Sequence, residues 1–89
     1  MTRIVKAVQT CWACPSQWDA YTDRGEYLYL RFRHGYGSAT WYAGGYPNNV
    51  RESRLVGEFT DRDPYAGCIG LEEFCRRAGL VLDPMAEVS

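Results

Sequence analysis

The segment 25–35 constrains the fold most, because its alternating residues belong on opposite faces of one β-strand. Successive side chains along a strand point to opposite sides of the sheet. One set consists of Leu28, Leu30, Phe32 and His34, and the other consists of Tyr27, Tyr29, Arg31 and Arg33. The first set suits a hydrophobic core. The second predicts an outward surface of tyrosine and arginine.

A β-hairpin is predicted around this strand. Residues 17–22 form a second strand-like run, and Asp23, Arg24 and Gly25 supply a turn between the two. Residues 38–42 predict a third antiparallel strand after the glycines at positions 35 and 37. A weak alternation at 3–10 favours a further strand, and 54–60 is a candidate for another short one. The chain therefore reads as a small antiparallel β-meander of three to four strands.

One helix is predicted near the C-terminal end. Gly70 stands at its N-cap position, Glu73 lies in its first turn, and Gly79 follows as a left-handed stop. Its apolar face comprises Leu71, Phe74, Cys75 and Ala78. Residues at this spacing share one side of a helix, so we expect them to pack on the apolar face of the sheet. The predicted fold class is α+β, with the C-terminal helix packed on one face.

Length and charge limit the organisation of the chain. With 89 residues there is room for one hydrophobic core, so residues 1–84 are predicted to form a single globular domain. Asp83 and Pro84 are expected to end it, leaving 85–89 as a flexible tail. The first residues lack the apolar run of a signal peptide, and no segment approaches a membrane helix. We expect a cytoplasmic protein with no membrane segment.

The tyrosine and arginine surface is the best candidate site. The candidate partner-binding residues are Tyr27, Tyr29, Arg31 and Arg33, with Asp19 and Tyr21 of the neighbouring strand. Tyrosine and arginine are enriched at recognition surfaces, although such residues also form ordinary cross-strand pairs on a solvated sheet. A single-stranded nucleic acid could stack on these rings. The net charge of −1 favours a protein partner instead, and a homodimer is a further alternative.

Four cysteines leave several interpretations open. Cys11 and Cys14 have zinc-knuckle spacing, and Cys68, Cys75 or His34 could complete four ligands. Cys68 and Cys75 are too far apart for the second close pair of a structural zinc site. Buried free thiols, thiol redox chemistry and a disulfide are the other interpretations. No cofactor is predicted, and a zinc-stabilised interaction module through Cys11 and Cys14 stays an alternative.

Catalysis has little support in the sequence. The chain has one histidine, His34, and a catalytic triad would need it next to a serine or cysteine and an acid, which sequence spacing does not locate. His34 is better explained as a polar cap on the core. We therefore expect a binding protein rather than an enzyme.

Two segments resemble short uncharacterised proteins of actinobacteria and their bacteriophages. The first runs from Cys14 to Gly35 and combines Gln-Trp, a turn with glycine and a Tyr-x-Arg-x-Arg strand. The second is the Gly-x-Ile-Gly-Leu-Glu-Glu-Phe-Cys run at 67–75. The resemblance covers about half of the chain and carries no catalytic residues. It implies a phage-type accessory protein that binds a host protein in the host cytoplasm.

Overall fold

The predicted hairpin lies at the centre of a larger sheet in the computed structural model, which describes residues 2–11, 16–43 and 52–89. The elements of this part of the chain are β1 (Arg3–Cys11), β2 (Ser16–Thr22), β3 (Tyr27–Arg33), β4 (Tyr36–Tyr42), β5 (Ser53–Thr60), α1 (Leu71–Ala78) and β6 (Val81–Val88). The strands form one sheet in the order β5-β4-β3-β2-β1-β6. Every neighbouring pair is antiparallel except β1 and β6, which are parallel. The small, mostly antiparallel α+β fold is confirmed, but the prediction of three to four strands was too low.

The apolar residues of β3 organise the core as their alternation predicts. Leu28, Leu30 and Phe32 are all buried. Leu30 is paired with Trp18 of β2 and with Ala39 of β4, so the three strands place apolar side chains on the same face. This face packs against α1.

Aromatic rings join the helix to the sheet. The Phe74 ring of α1 lies 5.7 Å from the Trp18 ring and makes an edge-to-face contact with Phe59 of β5 at 5.2 Å. Phe59 in turn stacks on Phe32, with ring centroids 5.5 Å apart. Burying one such ring stabilises the fold by roughly 1.5–3 kcal/mol. Phe74 therefore links α1 to β2 and β5 directly, and to β3 through Phe59.

Helix α1 begins and ends where its capping residues predict. Gly70 is the N-cap, and Gly79 adopts the left-handed conformation with φ of 76° at the C-cap. Leu71, Phe74, Cys75 and Ala78 are its buried residues, as the spacing predicts. On the outer side, hydrogen bonds from Arg76 and Arg77 lower the pKa of Glu73 to about 2. Arg77 also donates to Asp61 at 2.6 Å, which connects the helix to the preceding loop.

The C-terminal residues differ from their prediction as a flexible tail. Residues 85–88 form the second half of β6. Ser89 continues the pairing with β1, donating to the carbonyl of Ala7 at 3.0 Å and accepting from the amide of Gln9 at 2.7 Å. Pro84 falls where the β1–β6 register shifts, on an edge strand that tolerates a residue without an N–H. The proline therefore interrupts the pairing without ending the strand.

The β3–β4 turn also corrects a prediction. Alternation extended past β3 places His34 on the core face, but the strand ends at Arg33 and His34 is exposed. His34 and Gly35 both have positive φ, 53° and 70°, as a type I′ hairpin turn requires. The turn therefore directs His34 away from the core.

Gly35 is also packed against the chain that follows β5. Its amide donates to the carbonyl of Ala66, and its carbonyl accepts from the amide of Asp61, both at 2.7 Å. A Cβ atom on Gly35 would lie 2.5 Å from the carbonyl oxygen of Asp63. Only glycine fits this approach.

Substituting two turn glycines separates the loss of stability caused by positive φ from the loss caused by the close approach of Gly35 to Asp63. Gly25 has φ of +76°, but the space that a Cβ atom would occupy is open, so Gly25→Ala should lower the free energy of unfolding by about 1 kcal/mol. We expect Gly35→Ala to cost about 1–3 kcal/mol more, because the backbone near Asp63 must move. Urea unfolding of the two variants measures the difference. Equal costs would show that the Gly35 contact is dispensable.

Candidate functional site

All six predicted site residues lie on the face of the sheet opposite α1, which we call the Tyr/Arg face. Residues paired across neighbouring strands share a face. The pairs are Tyr21 with Tyr27, Asp19 with Tyr29, Gln17 with Arg31, and Arg33 with Tyr36. The alternation of β3 alone therefore separates this face from the core.

Tyrosines form one half of the face. The Tyr27 ring lies 5.7 Å from Tyr21 and 6.2 Å from Tyr42. Its hydroxyl donates a hydrogen bond of 2.5 Å to a carboxylate oxygen of Asp19. Tyr27 is only 3% exposed, whereas Tyr21 is 36% exposed. Tyr27 and Asp19 thus hold the neighbouring rings in place, and Tyr21 presents surface to solvent.

Arginines form the other half, around a shallow cleft at the β3–β4 end. This arginine cleft has a volume of about 570 Å³ and is lined by Arg31, Arg33, His34, Tyr36 and Ser38. Only the two arginines are among the predicted site residues. Two of the other three follow from the hairpin register, because Ser38 is paired with Arg31 and Tyr36 with Arg33, while His34 lies in the turn between the strands. Continuing the alternation into β4 could have found Tyr36 and Ser38.

One of the residues that line the cleft, Arg31, has a hydrogen-bond donor without an acceptor among the described residues. Arg31 Nε is buried and has no hydrogen-bond partner. Within the described residues, neither Arg31 nor Arg33 forms an ion pair. A buried N–H that lacks an acceptor costs roughly 1–3 kcal/mol. The cleft is therefore suited to an anion that brings acceptor oxygens.

The carboxylate of Glu58, beside the cleft residue Tyr36, already accepts a hydrogen bond. Tyr36 donates from its hydroxyl to Glu58 at 2.6 Å. This hydrogen bond to a carboxylate raises the pKa of Tyr36. Tyr36 is 41% exposed, so its ring remains accessible at the rim. His34 and Ser38 line the same cleft.

The cysteines have separate roles in the structure. Cys75 is a free thiol in the core, and burial raises its pKa to about 11. Cys68 is disulfide-bonded. Cys11 takes no part in that disulfide, while Cys14 lies outside the described residues. Cys68 and Cys75 are thus not available to complete a zinc site with Cys11 and Cys14.

Neither a metal cluster nor a membrane helix occurs in the ranges that the structure describes. Among residues 2–11, 16–43 and 52–89, no three side chains of His, Cys, Asp or Glu are grouped to hold a metal ion. Helix α1 has 8 residues, and no helix in these ranges is long and apolar enough to cross a bilayer. The Tyr/Arg face with its cleft remains the strongest candidate site.

Comparison with known proteins does not indicate a function for this chain. No family model, curated protein or solved structure matches this chain. A fold of this kind does not specify an activity by itself. The side chains of the Tyr/Arg face are therefore what indicates a function.

Proposed function

We propose that this protein is a non-catalytic binding protein that recognises a protein partner through its Tyr/Arg face. The observation that carries the proposal is the buried Nε of Arg31, a donor without an acceptor, in a residue that lines the same cleft as the exposed Tyr36. A partner that supplies an acceptor would remove the cost of this unmet donor. The rings of Tyr21 and Tyr36 add contact area of the kind found in interface hot spots.

A protein is favoured over a single-stranded nucleic acid as the partner. The chain has a net charge of −1, so it offers no long-range attraction for a phosphate backbone. Tyr27, which a base could have stacked on, is buried. A nucleic acid would therefore have Tyr21 and Tyr36 as its main stacking surfaces, at opposite ends of the face.

The resemblance to phage-type accessory proteins supports a host protein as the partner and the host cytoplasm as the place of action. The disulfide at Cys68 opposes a reducing compartment, since disulfides are rare in the cytosol. Alkylating intact cells before lysis tests the location directly. A Cys68 that is alkylated in living cells supports the cytoplasm, and one protected as a disulfide contradicts it.

Two tyrosine substitutions test the proposed function. Tyr21→Ala combined with Tyr29→Ala should weaken binding to a captured partner at least about 30-fold, because hot-spot rings contribute about 2 kcal/mol or more. Tyr65→Ala is the matched control, since Tyr65 is 88% exposed and lies in the loop before α1. Partners captured from a host lysate are identified by mass spectrometry, and their affinity is measured by calorimetry.

The result that contradicts the proposal is equally specific. The double variant must first give a wild-type circular dichroism spectrum. If it then binds the partner as tightly as Tyr65→Ala does, the Tyr/Arg face is not the binding surface. Capture that is lost after nuclease treatment and falls steeply with salt would assign the face to nucleic acid instead.

A further inference from the structure

The arginine cleft differs from the rest of the Tyr/Arg face in its charge. Its lining residues include two arginines and no carboxylate. Asp19 accepts the hydroxyl of Tyr27, and Glu58 accepts that of Tyr36. The residues outside the described ranges contain no aspartate or glutamate in their sequence. The nearby acids of the face are thus engaged by tyrosines, and Arg31 is left without a carboxylate.

We propose that the arginine cleft binds a carboxylate side chain in an acidic segment of the protein partner, an inference that rests on the proposed function. The Nε and one terminal nitrogen of a guanidinium match the two oxygens of a carboxylate in a bidentate pair. Arg31 Nε is one of the two donors that such a pair uses, and it has no acceptor. Arg31 is the central contact, and Arg33 beside it adds positive charge.

The geometry also explains why an acidic segment fits better than a single ion. The cleft is a shallow surface of about 570 Å³, open along the end of β3 and β4. Arg33 and His34 are exposed on its rim, while Arg31 is half-buried within it. One carboxylate can pair with Arg31 while a second lies against Arg33. Charge complementarity of this kind sets the orientation of a partner and accelerates its association.

An acidic peptide tests this without knowledge of the partner. The probe is N-acetylated hexaglutamate, with hexaglutamine as the uncharged control at the same ionic strength. Nitrogen-15 NMR should show saturable shifts of the Arg31 Nε–H signal and the Ser38 amide with hexaglutamate only. We expect Arg31→Gln to weaken this binding at least about tenfold. Arg24→Gln is the matched control, since Arg24 is exposed in the turn at the other end of β3, and it should leave the affinity unchanged.

A conservative variant keeps the test valid if Arg31→Gln fails to fold. Arg31→Lys retains the charge and loses the paired N–H geometry, so it should also weaken hexaglutamate binding. Unchanged affinity in Arg31→Lys, or an equal loss in Arg24→Gln, would overturn the proposal in favour of diffuse charge attraction. Saturable shifts with inorganic phosphate but not with hexaglutamate would overturn it in favour of a phosphate site.

The test separates this inference from the proposed function. Partner binding that needs Tyr21 and Tyr29, together with no hexaglutamate binding, rejects only the acidic-segment inference. Hexaglutamate binding that needs Arg31, with a partner insensitive to both tyrosines, rejects the proposed Tyr/Arg interface and retains the cleft as a carboxylate site.

Discussion

Phe74→Ala is expected to lower the free energy of unfolding by about 3–5 kcal/mol, the cost of removing a fully buried aromatic side chain. Phe74 is 0% exposed and contacts the rings of Trp18 and Phe59. Losing its ring removes buried area and leaves a cavity between α1 and the sheet. A domain of this length has a total stability of several kcal/mol, so the variant should be partly unfolded at room temperature.

Urea unfolding followed by tryptophan fluorescence measures this effect. Phe74→Leu refills most of the cavity and should cost less than about 1.5 kcal/mol. Tyr65→Ala removes an aromatic ring from an exposed site and should change stability by no more than about 0.5 kcal/mol. If Phe74→Ala is no more destabilised than Tyr65→Ala, α1 does not depend on this ring to pack on the sheet.

The central hairpin and the helix could be predicted because their signals are local. The two-residue alternation of β3 determines which face is buried, and the β2–β3 turn contains Gly25 with positive φ. Gly70 and Gly79 mark the ends of α1, and the spacing of its apolar residues marks its inner face. Each signal lies within about ten residues, where backbone preference and burial pattern agree.

Strand β6 could not be predicted because its partner is remote in sequence. It pairs in parallel with β1, and Arg3 donates to Asp83 at 3.1 Å across a separation of 80 residues. Pro84 is a local signal for the end of a strand, and the register shift that accommodates it is visible only once β1 is beside it. Tertiary pairing therefore overrides the local preference here.

The sequence predicted which face of the sheet carries the candidate site residues, but it did not predict how deeply each of them is buried. Alternation assigned Tyr27 and Arg31 to the same surface, but the degree of burial depends on neighbours across three strands. Tyr27 is covered within a group that includes Tyr21 and Tyr42, whereas Arg31 lines a cleft with residues of β4. Cross-strand register decides both outcomes, and one strand cannot specify it.

Cys68→Ser is expected to lower the free energy of unfolding by about 2–4 kcal/mol, because the disulfide restricts the unfolded chain. The loop around Cys68 also contacts β2. Ser16 donates from its amide to the carbonyl of Gly67 at 2.8 Å, and its Oγ accepts from the amide of Ile69 at 3.0 Å. The disulfide and these hydrogen bonds thus act on the same segment, immediately before α1.

Reduction provides an independent measure of the same contribution. Treating the wild-type protein with dithiothreitol should lower its melting temperature to that of Cys68→Ser, and the variant should not respond to the reductant. Cys11→Ser is the matched control, because Cys11 takes no part in the disulfide and its loss leaves that bond in place. This control should keep a large response to reduction. A wild-type melting temperature that does not change on reduction would show that hydrogen bonds and core packing, rather than the disulfide, hold the loop before α1 against β2.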